Sequence, residues 1–164
     1  LDLLYATGIR TTELCNLKVM DVDLKDQTVF IDRGKGNISR LVPIGQYASL
    51  YIEKYVQNGR RFFLKTKLHD PGCLFLTQFG NPFERRSINE WVMRPIQQKL
   101  RLKKHLTVYS LRHAVATHLL RHDVDVSYIA KLLGHRSLNT TQQYLKIEIG
   151  DLKRIHSLYH PRER

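Results

Sequence analysis

Behind Thr107, apolar residues recur four apart at Leu111, Val115 and Leu119, the spacing of one buried stripe on a helix. Thr107 is a good N-cap for that helix. Arg112 sits inside the same apolar pattern. Tyr109 and Arg112 are three apart, so both are expected to project from one face near the helix N-terminus. That end carries free N–H groups and partial positive charge, a natural seat for a phosphate. Asp125 is expected to cap a second helix with Val126, Ile129, Leu132 and Leu133 apolar, and Gly134 stops it. His135 follows at once. Ser137 is a candidate cap for a further short helix that reaches Tyr144. The stretch 107–144 therefore demands successive helices on a shared core, and it delivers an arginine, a histidine and a tyrosine to their ends.

The 164 residues suit one domain with a substantial core. The charge balance adds a constraint. Lys+Arg number 27 against 15 Asp+Glu, a net charge of +12. A plain basic surface is one reading. A surplus this large on one small domain favours a polyanionic partner, nucleic acid first and an anionic membrane second. No apolar run approaches the roughly 20 residues needed to span a bilayer. Cys15 and Cys73 lack metal-ligand spacing and sit in apolar runs, so buried free thiols in a reducing compartment are expected. The chain opens on Leu1 inside a helical phrase and not on methionine, which points to a fragment of a longer protein.

Taken in order, Leu1 to Ala6 is a short apolar run ending at Thr7-Gly8, where a helix stop is expected. Thr11, Leu14 and Leu17 then follow at helical spacing, which sets Arg10 at a helix start beside Gly8. A surface arginine paired with Glu13 is the plain alternative for Arg10. Thr28-Val-Phe-Ile and Arg40-Leu-Val-Pro-Ile read as two strands. The glycine-rich turn between them presents Lys35 between Gly34 and Gly36. A lysine at such a tip is usually solvated decoration.

From Gln46 to about Leu64 the chain is amphipathic, with Leu50, Ile52, Tyr55 and Val56 toward a core and a basic cluster at Arg60, Arg61, Lys65 and Lys67. Cys73 to Leu76 reads as a short strand. A helix from about Glu84 to Leu100 is expected to bury Ile88, Trp91, Val92 and Ile96, with Pro95 as a kink point. Arg85, Arg86, Arg94, Lys99, Arg101, Lys103 and Lys104 add basic runs suited to tracking a phosphate backbone. A last apolar stripe, Ile149, Leu152, Ile155 and Tyr159, either folds back on its own core or docks on another protomer.

Four phrases together resemble the tyrosine recombinase (phage integrase) family, and the resemblance extends to about residue 160. Y-A-T-G-I-R-T-T-E-L is similar to the segment of the family's first catalytic arginine, here Arg10. G-K-G-N-I-S-R-L-V-P-I is similar to its lysine hairpin, here Lys35. S-L-R-H-A-V-A-T-H-L-L is similar to the second-arginine helix, here Arg112. L-L-G-H-R-S-L-N-T-T-Q-Q-Y is similar to the histidine and nucleophile segment, here His135 and Tyr144, at the family's nine-residue interval. The nearest flavour is the Xer recombinases and the integrases of mobile elements. One position departs: the family usually has histidine three residues before the second arginine, and here it is Tyr109. A phenol donates one hydrogen bond but is not a cation at neutral pH.

The resemblance implies an α+β, mainly helical catalytic domain with a small antiparallel sheet near its N-terminal third. It implies a site-specific DNA recombinase that cuts and rejoins double-stranded DNA through a 3′-phosphotyrosyl intermediate. Tyr144 would be the nucleophile, Arg10 and Arg112 the phosphate clamp and Lys35 the general acid. His135 would be a hydrogen-bond donor or proton handler, and Tyr109 a neutral substitute donor. Neither a cofactor nor a metal is implied, and a membrane is not. Also implied are a missing N-terminal DNA-binding domain, a tetramer on two DNA sites, exchange of the 148–160 segment between protomers and a cytoplasmic, nucleoid-associated location. A type IB topoisomerase and a catalytically inactive DNA-binding module are the rival readings.

Overall fold

The computed structural model describes residues 1–32, 39–64, 69–134 and 149–161. Helix α1 (Asp2–Thr7) ends where Gly8 turns left-handed, at φ 58° and ψ 26°, a conformation that costs glycine nothing. Helix α2 (Thr11–Asn16) starts directly afterwards, with Arg10 as its extended N-cap. Three antiparallel strands follow in spatial order, β1 (Val22–Asp23), β2 (Thr28–Ile31) and β3 (Arg40–Pro43). Val29 faces Val42, and Ile31 faces Arg40. Val29, Ile31 and Val42 are buried, while Phe30 and Leu41 are exposed. That alternation gives the sheet one core face and one open face, as period-two patterning requires.

The middle of the chain departs from the expected helices in an instructive way. Helix α3 (Gly45–Lys54) runs through a π-helical turn (Tyr55–Gly59) into α4 (Arg60–Leu64). Its buried face is Ala48, Ser49 and Ile52, and Leu50 is exposed. Helix α5 (Arg85–Ile88) passes through a second π turn (Asn89–Met93) into α6 (Arg94–Lys99). Pro95 has no N–H to give the Trp91 carbonyl, and the backbone widens just ahead of it. The wider turn shifts the helical phase. Met93 is fully buried and Trp91 is 63% exposed, against the expectation that Trp91 faces the core.

Two further expectations are corrected. Residues 73–76 make only isolated bridges, Lys18 with Cys73 and Leu76 with Pro82, and do not form a strand. Arg60 is no part of a solvated basic cluster. It is buried, donates from Nε to the Cys73 carbonyl at 3.0 Å and holds the Asp70 carboxylate through Nη1 at 2.6 Å. Cys15 and Cys73 are free thiols, half-buried and not fully buried. The basic side chains of Arg85, Arg86, Arg94, Lys99, Arg101, Lys103 and Lys104 are exposed.

Helices α7 (Val108–Arg121), α8 (Val126–Leu133) and α9 (Ile149–Tyr159) complete the described fold. Thr107 caps α7 by accepting from the Ser110 N–H at 3.0 Å, and Asp125 caps α8 by accepting from the Ser127 N–H at 2.7 Å. Val108, Val115 and Leu119 of α7 join Ile129, Leu132 and Leu133 of α8 in one core with Leu3, Leu4 and Ile9. Ile155 and Tyr159 of α9 pack against that core. His156 of α9 and His160 just after it are buried. Their Nε2 atoms donate to the Ala6 and Tyr5 carbonyls at 3.1 and 3.0 Å, and their rings stack 4.3 Å apart. Among the described residues no helix is long and apolar enough to cross a membrane.

Candidate active site

The site is built on the C-terminal end of α8. The last carbonyls of a helix have no intrahelical donor and carry the negative end of its dipole. Here three successive carbonyls each take a different arginine. Arg40 Nε donates to Leu132 O at 3.1 Å, Arg112 Nη2 to Leu133 O at 2.7 Å, and Arg10 Nη2 to Gly134 O at 2.7 Å. The three arginines come from β3, from α7 and from the N-cap of α2. One helix end thus gathers segments from both ends of the chain.

Two glycines make the gathering possible. Gly8 gives its carbonyl to Arg112 Nη1 at 2.6 Å. A Cβ on Gly8 would occupy the place of the Leu133 side chain, so the glycine lets α8 close onto the α1–α2 turn. Gly134 ends α8 at φ 66° and ψ 51°. A Cβ there would come within 2.8 Å of Arg40 Nη1.

Glu13 supplies the carboxylate. Its Oε2 accepts from the Arg10 backbone N–H at 2.9 Å, the reach-back of a residue at N3 to its N-cap. The same oxygen accepts from Arg40 Nη2 at 2.9 Å, and Oε1 accepts from Arg10 Nη1 at 2.8 Å and Arg40 Nη1 at 3.0 Å. Both oxygens are therefore shared between two arginines. Burial by itself would raise the Glu13 carboxyl. The hydrogen bonds from Arg40 and Arg10, with the Arg40 charge, overcome it and hold the group at about 2.

Three guanidiniums around one carboxylate leave positive charge in excess. Arg112 registers this. Burial, then repulsion from Arg10 and Arg40, bring it down to about 10 against the opposing pull of Glu13 and Tyr109. It is still a cation at neutral pH. Arg10 and Arg112 each commit two of their five N–H groups to described residues. The rest of each fork suits an incoming anion with several oxygens, such as a phosphodiester.

Among the described site residues, the structure brings Arg10 and Arg112 together as the sequence led one to expect. Arg10 does pair with Glu13, as in its plainer reading, but as part of a buried cluster. Tyr109 does not share the inward face of Arg112: the arginine is 7% exposed and the tyrosine 75%. The three-residue offset carries Tyr109 round to the outside of α7. Lys35, His135 and Tyr144 lie outside the described residues, as does the cap expected at Ser137. Glu13 and Arg40 were not singled out from the sequence as site residues. The signal for Glu13 was its place three after the N-cap. The signal for Arg40 was its place two before Val42, on the core face of a strand, where a cation needs a partner.

The profile of the phage integrase family matches residues 1–149. Tyrosine recombinase XerC of Halalkalibacterium halodurans is 40% identical over 163 residues, covering 98% of this chain and 53% of that protein. XerD of the same organism is 37% identical, covering 99% and 53%. A crystal structure of XerA recombinase superposes with a TM-score of 0.74 at 31% identity, over 98% of this chain and 56% of the other. The chain belongs to the phage integrase (tyrosine recombinase) family. The relatives named above are Xer recombinases, and the chain spans about half the length of the curated relatives it matches.

Proposed function

We propose that this chain is the catalytic domain of a site-specific recombinase that cuts and rejoins double-stranded DNA through Tyr144. The observation that carries the reading is the cluster of Arg10, Arg112 and Arg40 at the end of α8, one residue before His135, whose three positive charges meet one carboxylate, Glu13, among the described residues. An excess of fixed guanidinium charge in a nearly buried place favours a ligand whose negative charge grows during reaction. A phosphodiester under attack at phosphorus has that property, the charge growing on its non-bridging oxygens.

In this reading the Tyr144 oxygen bonds to phosphorus as it loses its proton, since a free phenol is only about one part in a thousand ionised at pH 7. The bond from phosphorus to the 5′ oxygen breaks, and Lys35 gives that oxygen a proton. Arg10 and Arg112 hold the non-bridging oxygens. His135 donates a further hydrogen bond or takes up the phenol proton, and Tyr109 stands at the rim as a neutral donor. Rejoining is the reverse, with a 5′ hydroxyl attacking the phosphotyrosine. The bond energy stays in the linkage, so the cycle needs no external energy source.

A relative supports DNA as the partner. XerH has been solved bound to its difH substrate. By extension, a longer protein would carry an N-terminal DNA-binding domain, and protomers would exchange their 148–160 segments in a tetramer on two DNA sites. It would work in the cytoplasm at the nucleoid of a bacterium or archaeon. The test is covalent capture from a pool of nicked duplexes of randomised sequence. The proposal expects a DNA adduct that survives denaturant and is lost in Tyr144→Phe, while DNA binding persists. DNA binding without adduct would mean an inactive binding module. Adduct with supercoil relaxation but no strand exchange would mean a topoisomerase.

A further inference from the structure

We infer that Arg40 is a positioning residue that keeps Arg10 available to the phosphate by occupying Glu13. The inference rests on the reading of Arg10 as a phosphate-binding arginine. Arg40 itself is poorly placed to touch DNA. Its side chain is 8% exposed. Its Nε is spent on Leu132 O, and Nη1 and Nη2 grip the two oxygens of Glu13 in a side-by-side fork. Arg10, at 23% exposure, is the more open of the two.

The division of Glu13 is the point. Arg10 holds it through one side-chain N–H and one backbone N–H. A carboxylate and a guanidinium left alone prefer two parallel hydrogen bonds. Among the described residues, Arg40 is the one other side chain that contests Glu13, and its fork takes both carboxylate oxygens. Without it, Glu13 would close on Arg10 with both oxygens, draw it off Gly134 O and neutralise it. The site would lose a donor and much of its surplus charge at once. Arg40 also roots β3 on the α8 end, so the same side chain sets the spacing between the sheet and the helix that precedes His135.

The experiment compares the wild-type chain with Arg40→Met, Arg40→Lys, Glu13→Gln and Arg40→Met/Glu13→Gln. Two quantities are read: single-turnover cleavage of the nicked duplex that the wild type captures, at saturating DNA, and the Arg10 side-chain Nε–H resonance of the free protein. Arg40→Met should cleave about 100-fold slower with DNA affinity within about threefold of wild type. Its Arg10 signal should move to that of a fully paired guanidinium. Arg40→Lys keeps the charge without the fork and should fall between.

The double variant should cleave faster than Arg40→Met, because the competing carboxylate is gone; a merely structural Arg40 predicts a further loss instead. An Arg10 resonance unmoved in both Arg40→Met and Arg40→Lys, or cleavage by both within about threefold of wild type, overturns the inference. The resonance is read without DNA, so it decides the matter even if the wild type forms no adduct and the recombinase reading itself fails.

Discussion

Arg10 Nη2 lies 2.7 Å from the carbonyl oxygen of Gly134, across 124 residues of chain. The contact joins the N-cap of the second helix to the glycine that stops the eighth. It exists because Gly134 is left-handed and its carbonyl is not consumed by the helix. The two glycines of the site therefore carry a packing duty that can be separated from their backbone duty.

Gly134→Ala, Gly8→Ala and Gly72→Ala measure that separation. All three glycines have positive φ, but a Cβ on Gly72 meets nothing within 4 Å. Gly72→Ala is expected to cost about 1 kcal/mol in urea unfolding, the left-handed penalty alone. Gly134→Ala should cost more, because the new methyl displaces the Arg40 guanidinium. Gly8→Ala should cost most, because it drives Leu133 out of its place. Equal losses at the three positions would mean that close approach contributes nothing.

Glu13→Ala should destabilise the fold by roughly 3 kcal/mol, since it strands Arg10 and Arg40 in a nearly buried site. The group's folded value, about 2, lies below its ordinary 4.5. A depressed carboxylate contributes stability that is present above its unfolded value and lost as pH falls toward the folded one. Acid unfolding of the wild type should therefore have a component between about pH 4.5 and 2 that is missing in Glu13→Ala.

The docking of α9 should respond to acid in a higher window. Burial, then the neighbouring His160, bring His156 down to about 4 from 6.5, against the favourable Ala6 hydrogen bond. The unfolded histidine binds its proton more readily than the folded one, so stability rises with pH across this range. Between about pH 6.5 and 4, amide exchange in residues 152–160 should accelerate. His156→Gln, which keeps a donor for Ala6 without the titration, should flatten that dependence.

Tyr109→His should retain or raise cleavage, because it restores the cation-capable donor usual in the family at a position that is 75% exposed and carries no core packing. Tyr109→Phe should lower it if the phenol donates to the phosphate. The check is the single-turnover rate on captured DNA, and a large loss in Tyr109→His would assign the hydroxyl a role other than substitution.

The stops and caps were the legible part of the fold. Gly8, Thr107, Asp125 and Gly134 mark helix ends by local chemistry alone, and the structure has them where the residues say. The strands flanking the lysine turn were equally plain from alternation. What local pattern did not carry was phase and partnership. The π turn before Pro95 rotates Trp91 outward, and helical periodicity assumes a constant turn. Arg60 read as one of several surface cations, yet its partners are the Cys73 carbonyl and Asp70, contacts set by tertiary folding. At the site, Arg10 and Arg112 could be picked by motif. The Glu13 carboxylate shared with Arg40 joins α2 to β3 over 27 residues, and no spacing rule announces it.

The central claim is that Tyr144 is the nucleophile served by the α8-end arginines. Peptide mapping by mass spectrometry of the captured protein–DNA complex tests it most directly. The account predicts a phosphodiester-linked nucleotide on the peptide containing Tyr144, formed by the wild type and much reduced in Arg112→Lys. A nucleotide on Tyr109, Tyr159 or any other side chain, with Tyr144 unmodified, would contradict it.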